Sequence, residues 1–323
     1  MRPGRRRLRA IGQYVVVVAG AVVLNFALPR LAPGSPVDYL VPPQAGTISA
    51  EERVELLERY GLDEPLPQQF LTYVGGLVQG DLGVSVRDGR PVADVITERI
   101  GWSLLLVGGA VAASAALGTA LGFVAAWRRG RAGDVAALIA VLVVDALPAF
   151  FVGLLLLLVF SVRLDLFPLY GALPAVGVGG LQLVVEVGRR LVLPLATLTL
   201  TGLASIFVVA RSALLSELDE DYVFMARAKG LDERAVRGHA QRNALIPIST
   251  ATFLGFSTLV GAATVVETVF SYPGLGTLAF QSVLSRDYPM LQAVFLVLAL
   301  VAIAANLVND LIYPRLDPRV RAS

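Results

Sequence analysis

The 323-residue chain is 56% hydrophobic and only 16% charged, with a mean hydropathy of +0.71, whereas a soluble domain carries nearer a quarter charged residues. It has no cysteine and one histidine, His239. That excludes disulfides, thiolate chemistry and Cys-ligated metal, and leaves any histidine-based site to a single residue. The net charge of +2 says little, but the placement of the charges says much more.

The apolar residues fall in blocks long enough to cross a ~30 Å hydrocarbon core at 1.5 Å per residue. They run apolar throughout, where barrel strands would alternate. The pattern predicts an all-α polytopic membrane protein with six spans, at about 10–28, 102–126, 135–160, 191–212, 246–270 and 289–311. The first follows Arg5, Arg6, Arg7 and Arg9. A signal peptide begins in the same way, but the apolar run AIGQYVVVVAGAVVLNFAL is long for one, which predicts an uncleaved anchor. With the N-terminus inside, the inside segments hold 17 basic residues, and the far longer outside segments hold 10. This asymmetry puts both termini in the cytoplasm of a multi-pass cell-membrane protein.

The chain divides into an N-tail and first span (1–28), an extracytoplasmic subdomain (29–100), a transmembrane domain (101–312) and a cytoplasmic tail (313–323). Segment 29–100 is too long for a plain connection. Ser49 with Glu52 forms a capping box, which predicts a helix from Ser49 to Tyr60, with Val54, Leu57 and Tyr60 on one face and Gly61 ending it. A second short helix is expected over Gln69 to Gln79, before a turn at Gly80 to Gly83. Two readings stand: a lid over the spans, or a contact surface for a binding protein or substrate.

In the third span Asp145 lies just before Ala146, Leu147 and Pro148. A carboxylate at mid-bilayer costs roughly 2.5–3.5 kcal/mol on insertion scales, so it must face a cavity or a partner. Asp145 either lines a pathway for a cationic group or bonds within a helix–helix contact. Pro148 is expected to kink the span and free a carbonyl. Gly108, Gly109, Ala112, Ala116, Gly118 and Gly122 allow close packing of the second span. Arg211, at the inner end of the fourth, reads as a positive-inside anchor.

The loop 213–247 is the most informative stretch. Asp219, Glu220 and Asp221 favour a helix start. Tyr222, Met225, Ala226 and Lys229 share one helical face, and Gly230 suits the left-handed position after the helix. Asp232 is placed to cap a second short helix through about Asn243, with Pro247 at the start of the fifth span. From 211 to 247 there are six basic and six acidic residues, which disfavours a cationic lipid-binding helix. Small side chains at Ala226 and Ala228 admit another protein's backbone.

The form ARAKG followed by RNALIP resembles the coupling motif of binding-protein-dependent ABC importer permeases, in its dipeptide/oligopeptide/nickel version. LAPGSPVDYL, YGLDEPLPQQF, GDLGVSV, VVETVFSYPGLGTLAFQSVLSRDYPMLQA and ANLVNDLIYPRLDPRVR resemble the same family in the same order. The resemblance implies a pore made with a second, homologous permease subunit, and two ABC ATPases beneath it that hold ATP and Mg. It implies an extracytoplasmic substrate-binding protein, and it implies peptide as substrate, with nickel or oligosaccharide systems as the alternative.

By the same resemblance Ala226, Ala228, Lys229 and Gly230 lie at or beside the ATPase contact, and Tyr222, Met225 and Asp232, from the helical pattern around them, join the candidate coupling residues. Glu267, Pro273 and Gly274, in VETVFSYPG, join Asp145 and Pro148 as pathway or gate residues. The chain departs from the family where Phe224 and Met225 stand ahead of Ala226 in place of a glutamate, and where Gly101, Trp102 and Ser103 follow ERI. No phosphate-binding loop, GxSxG or HExxH is present, so no catalytic residue, cofactor or metal site is expected in this chain, nor a nucleic-acid partner. A stand-alone secondary transporter would show internal repeats or several intramembrane charges, and neither is evident.

Overall fold

The computed structural model describes residues 3–31, 49–59, 63–173 and 179–316. The described residues form helices α1 (Pro3–Leu31), α2 (Ala50–Arg59), α3 (Leu66–Gln79), α4 (Val92–Trp127), α5 (Ala132–Asp145), α6 (Ala149–Leu156), α7 (Leu181–Leu218), α8 (Asp221–Ala228), α9 (Glu233–Val269), α10 (Leu275–Ser285) and α11 (Tyr288–Leu316). A π-helical stretch, Leu157–Arg163, continues α6. Among the described residues, four helices are individually long and apolar enough to cross a membrane: α4, α7, α9 and α11. The pair α5 and α6 with its π-helical end makes a fifth if its two bent arms count as one span. The apolar part of α1, Gly12–Ala27, is shorter.

Contacts divide the chain into two bodies. The first comprises Met1–Ser103 and Pro273–Ala304. Its core joins Val92, Val95 and Ile96 of α4 to Leu275, Leu278 and Ala279 of α10, and to Met290, Ala293 and Val294 of α11. The Ser103 hydroxyl accepts the first backbone N–H of α10, from Leu275, at 2.7 Å, so the unusual serine after ERI serves as a cap. Asp287, 2% exposed, accepts hydrogen bonds from the Ser85 hydroxyl and from the backbone N–H groups of Val86, Arg87 and Met290. It ties the small hairpin around Val84 and Pro91 to the start of α11. The predicted capping box forms: Ser49 N–H donates to Glu52 Oε2 at 2.8 Å, and Glu52 N–H donates to Ser49 Oγ at 3.2 Å. Tyr60 and Gly61 lie outside the described residues.

The second body comprises Leu104–Tyr272 and Ala305–Ser323. Here α4 packs on α7 through small residues. A Cβ on Gly122 would lie 2.7 Å from the Phe207 carbonyl oxygen and 2.8 Å from the Ala210 Cβ; on Gly118 it would lie 2.9 Å from Ile206. Only glycine permits backbones this close. Gly108, expected to do the same, has open space beside it.

Three expectations need correction. First, α9 is one 37-residue helix with Pro247 inside it, not a short helix followed by a separate span. Val236, Ala240, Ala244 and Ile248 are buried at four-residue spacing on both sides of the proline, so packing holds the helix through the missing N–H. Second, α7 begins at Leu181, well before 191, and Arg189 and Arg190 bond back to the Leu166 and Tyr170 carbonyls at 3.0 and 2.7 Å. Third, Pro148 does more than kink a span. The arms on either side of it meet at 102°.

Candidate functional site

The short helix α8 has a buried stripe. Val223 is 1% exposed and Ala226 is partly buried beside it. They rest on a bed of Ala126 from α4, Leu214 from α7, and Val236, Ala240 and Ala244 from α9. The three-residue spacing of Val223 and Ala226 matches one face of a helix. The other side displays Phe224, 72% exposed, and Met225, 55% exposed. Ala228 and Lys229 are exposed as well.

This rotation corrects the predicted face, because Ala226 turns inward and Phe224 becomes the most open apolar side chain. Burial of Val223 sets the rotation. Tyr222 lies at the edge, where its hydroxyl donates to Glu217 Oε2 at 2.6 Å. Burial, aided by that bond, pushes its pKa up to about 12.

The turn after α8 is built for rigidity. Gly230 N–H donates to the Arg227 carbonyl at 2.9 Å, and Leu231 N–H donates to the Ala226 carbonyl at 3.1 Å. This paired closure requires a left-handed residue, and Gly230 has φ +77°. Any side chain there costs about 1 kcal/mol or more. Asp232 occupies the N-cap position of α9, yet its side chain makes no capping bond. That corrects its expected role from side-chain cap to backbone entry residue. The Arg237 guanidinium carbon sits 4.5 Å from the Trp127 ring centroid, tying α9 to the end of α4.

One turn along α7 from Leu214, Arg211 makes a two-pronged ion pair with Asp134 in the first turn of α5. Nε lies 2.7 Å from Oδ1, and Nη2 lies 2.8 Å from Oδ2. Gly130 N–H adds a bond to Asp134 Oδ2 at 3.1 Å. The Asp134 side chain is 3% exposed and that of Arg211 23%. Arg211 is therefore a bonded partner of a buried carboxylate, not merely an anchor facing water.

At its other end α5 stops at Asp145, and α6 starts after Pro148, whose carbonyl accepts from Phe151 and Val152 N–H at 2.9 and 3.1 Å. Asp145 and Pro148 are exposed in this chain. Glu267, 1% exposed, lies in the last turn of α9, where its carbonyl accepts the Tyr272 N–H at 2.8 Å. Gly274 is buried at the N-cap of α10, with Pro273 partly buried before it. Met225, Ala228, Lys229 and Gly230 thus gather at the C-terminal end of α8, with Tyr222 at its start, Ala226 turned inward and Asp232 just beyond, while Asp145, Pro148, Glu267, Pro273 and Gly274 sit at other helix ends.

Sequence reasoning gave Phe224 only as a departure from the family pattern and not as a candidate contact residue, and it missed Asp134 altogether. The signal for the first was Val223 three residues before Ala226. For the second it was a lone acid directly after the basic turn Arg128, Arg129 and Arg131.

Residues 118–322 match the family described as binding-protein-dependent transport system inner membrane component. The chain is 34% identical over 311 residues to the oligopeptide transport system permease protein AppB of Bacillus subtilis, covering 95% of this chain and 96% of that one. It is 36% identical over 329 residues to the di/tripeptide transport system permease protein DppB of Pseudomonas aeruginosa, covering 97% of each. It is 38% identical over 301 residues to the glutathione transport system permease protein GsiC of Escherichia coli, covering 93% of each. Among solved structures, an inward-facing form of the MetNI methionine ABC transporter aligns with a TM-score of 0.55 at 16% identity, covering 69% of this chain and 96% of that chain. At that identity the likeness concerns the fold alone.

Proposed function

Because the chain belongs to the family of binding-protein-dependent transport inner membrane components, as the permease subunit of an ABC importer, we propose that α8 is the surface through which partner ATPases drive it. The family binds no cofactor and leaves ATP hydrolysis to partner subunits. The observation that carries the reading is the display of Phe224 and Met225 from a short helix fixed on an apolar bed. Two apolar side chains this open gain by burial against a protein groove, at about 25 cal/mol per Å². Ala228, Lys229 and Gly230 border that contact, and Tyr222 and Asp232 shape its edges.

The finer architecture follows the sequence reading. The protein crosses the inner membrane six times, with α1 as the first span and the α5–α6 pair as the third. Both termini are cytoplasmic, and the segment 29–100 faces outward toward a binding protein. A second permease subunit completes the pore, with two ATPases beneath. The substrate is a di- or oligopeptide, in keeping with the names of the relatives above, and nickel or oligosaccharide is the alternative. Asp145, an exposed carboxylate at the broken span, attracts the peptide ammonium, while Glu267, Pro273 and Gly274 shape the gate.

The test is purification of the chain with its partner subunits, with Phe224→Asp and Met225→Asp compared to the unaltered protein. A charge on this face is expected to abolish co-purification of the ATPases, or to cut binding-protein-stimulated hydrolysis at least ~10-fold, while the chain still accumulates in the membrane. Unchanged hydrolysis and uptake would exclude α8 as the contact.

A further inference from the structure

The Asp134–Arg211 pair lies between the two features just described. Arg211 is three residues from Leu214, which forms part of the bed under α8. The turn that gives Gly130 N–H to Asp134 follows the end of α4, whose Ala126 is in the same bed. Asp134 itself begins α5, and α5 ends at the break beside Asp145. One buried carboxylate thus binds the α4–α5 turn and α7 at the same level, directly beside the apolar bed. Two parallel N–H to oxygen bonds fix orientation as well as distance, so neither helix can slide or rotate without breaking both. A surface pair, Arg129 with Asp219 at 3.5 Å, lies nearby, but both side chains are mostly exposed and it contributes little.

We infer that Asp134 and Arg211 are positioning residues for transport: their pairing makes α5 move as one body with the α8 platform, so that force on α8 reaches the broken span. The inference rests on the reading of α8 as the ATPase contact. Without the pair, α5 is held to α7 only by the apolar packing of Ala137, Leu138 and Val141 on Leu203 and Phe207, which fixes no register, so α5 follows the platform less faithfully. Hydrolysis then continues while substrate movement per ATP falls. A purely structural role makes a different prediction, because a misfolded chain loses hydrolysis and uptake together.

The experiment uses the whole transporter, reconstituted with its ATPases and binding protein. Uptake per ATP hydrolysed is measured for Asp134→Asn, for Arg211→Lys, for the neutral pair Asp134→Asn with Arg211→Gln, and for the exchanged pair Asp134→Arg with Arg211→Asp. The inference predicts that the neutral pair assembles and keeps stimulated hydrolysis within ~2-fold, while uptake per ATP drops ~10-fold. It predicts that the exchanged pair recovers part of that ratio, and that Arg211→Lys, which loses the fork, falls between. Uptake and hydrolysis that fall in proportion in every variant that assembles, or a neutral pair with an unchanged ratio, would overturn it. If Phe224→Asp leaves hydrolysis intact, it is the α8 contact that fails. If Phe224→Asp behaves as expected and the neutral pair stays coupled, it is the transmission role that fails.

Discussion

The two ends of α5 each carry an aspartate, and their surroundings are opposite. Asp134 is 3% exposed, gripped by a guanidinium fork and a backbone N–H. Asp145 is exposed. Asp134 stands in the first turn, where the helix dipole favours a carboxylate. Asp145 stands in the last, where the dipole opposes it. A charge so well satisfied belongs to the framework, and one held in the open against the dipole remains available to something outside the chain.

That contrast breaks first under Asp134→Ala. Removing the carboxylate strands Arg211, and deleting one partner of a buried pair typically costs about 3–5 kcal/mol. Arg211 keeps 23% of its side-chain surface exposed, so the expected loss is near the lower end, about 3 kcal/mol. In the detergent-purified complex this should lower the melting temperature by roughly 5–10 °C. An unchanged melting temperature would mean that the pair contributes nothing to the framework, and the contrast would dissolve.

Asp145→Asn should do the reverse. Its effect on melting is expected within about 0.5 kcal/mol, as at an ordinary exposed site, while uptake of a peptide with a free ammonium falls several-fold. Uptake that stays unchanged would remove Asp145 from the pathway. A fall that is equal for an N-acetylated peptide would keep Asp145 there but deny that it recognises the ammonium.

The same two residues show what could be read in advance. Asp145 stood out in sequence because apolar residues surround it, and composition alone reveals a charge in the wrong solvent. Asp134 did not, because it follows three arginines and resembles any loop acid. Its burial depends on α7 returning from 77 residues away, and no local pattern encodes that return.

Local chemistry was legible wherever the partners are near in sequence. The Ser49–Glu52 capping box and the Gly230 turn both formed as their spacing implied. The rotation of α8 was not legible, since Val223 and Ala226 choose their side only when Leu214 and Ala240 arrive beneath them. Nor was the continuity of α9 through Pro247, where packing on both sides outweighs the missing N–H.

The central claim is that the exposed side of α8 meets an ATPase. The most direct measurement places a photoreactive side chain at position 224, and separately at position 223, and irradiates the assembled transporter in native membranes. Phe224 is 72% exposed and Val223 is 1% exposed, although they are neighbours in the same turn. The account predicts an adduct with the ATPase subunit from position 224, and only internal adducts from position 223. Adducts from position 224 with lipid alone, in a preparation where ATPase is bound and active, would contradict it.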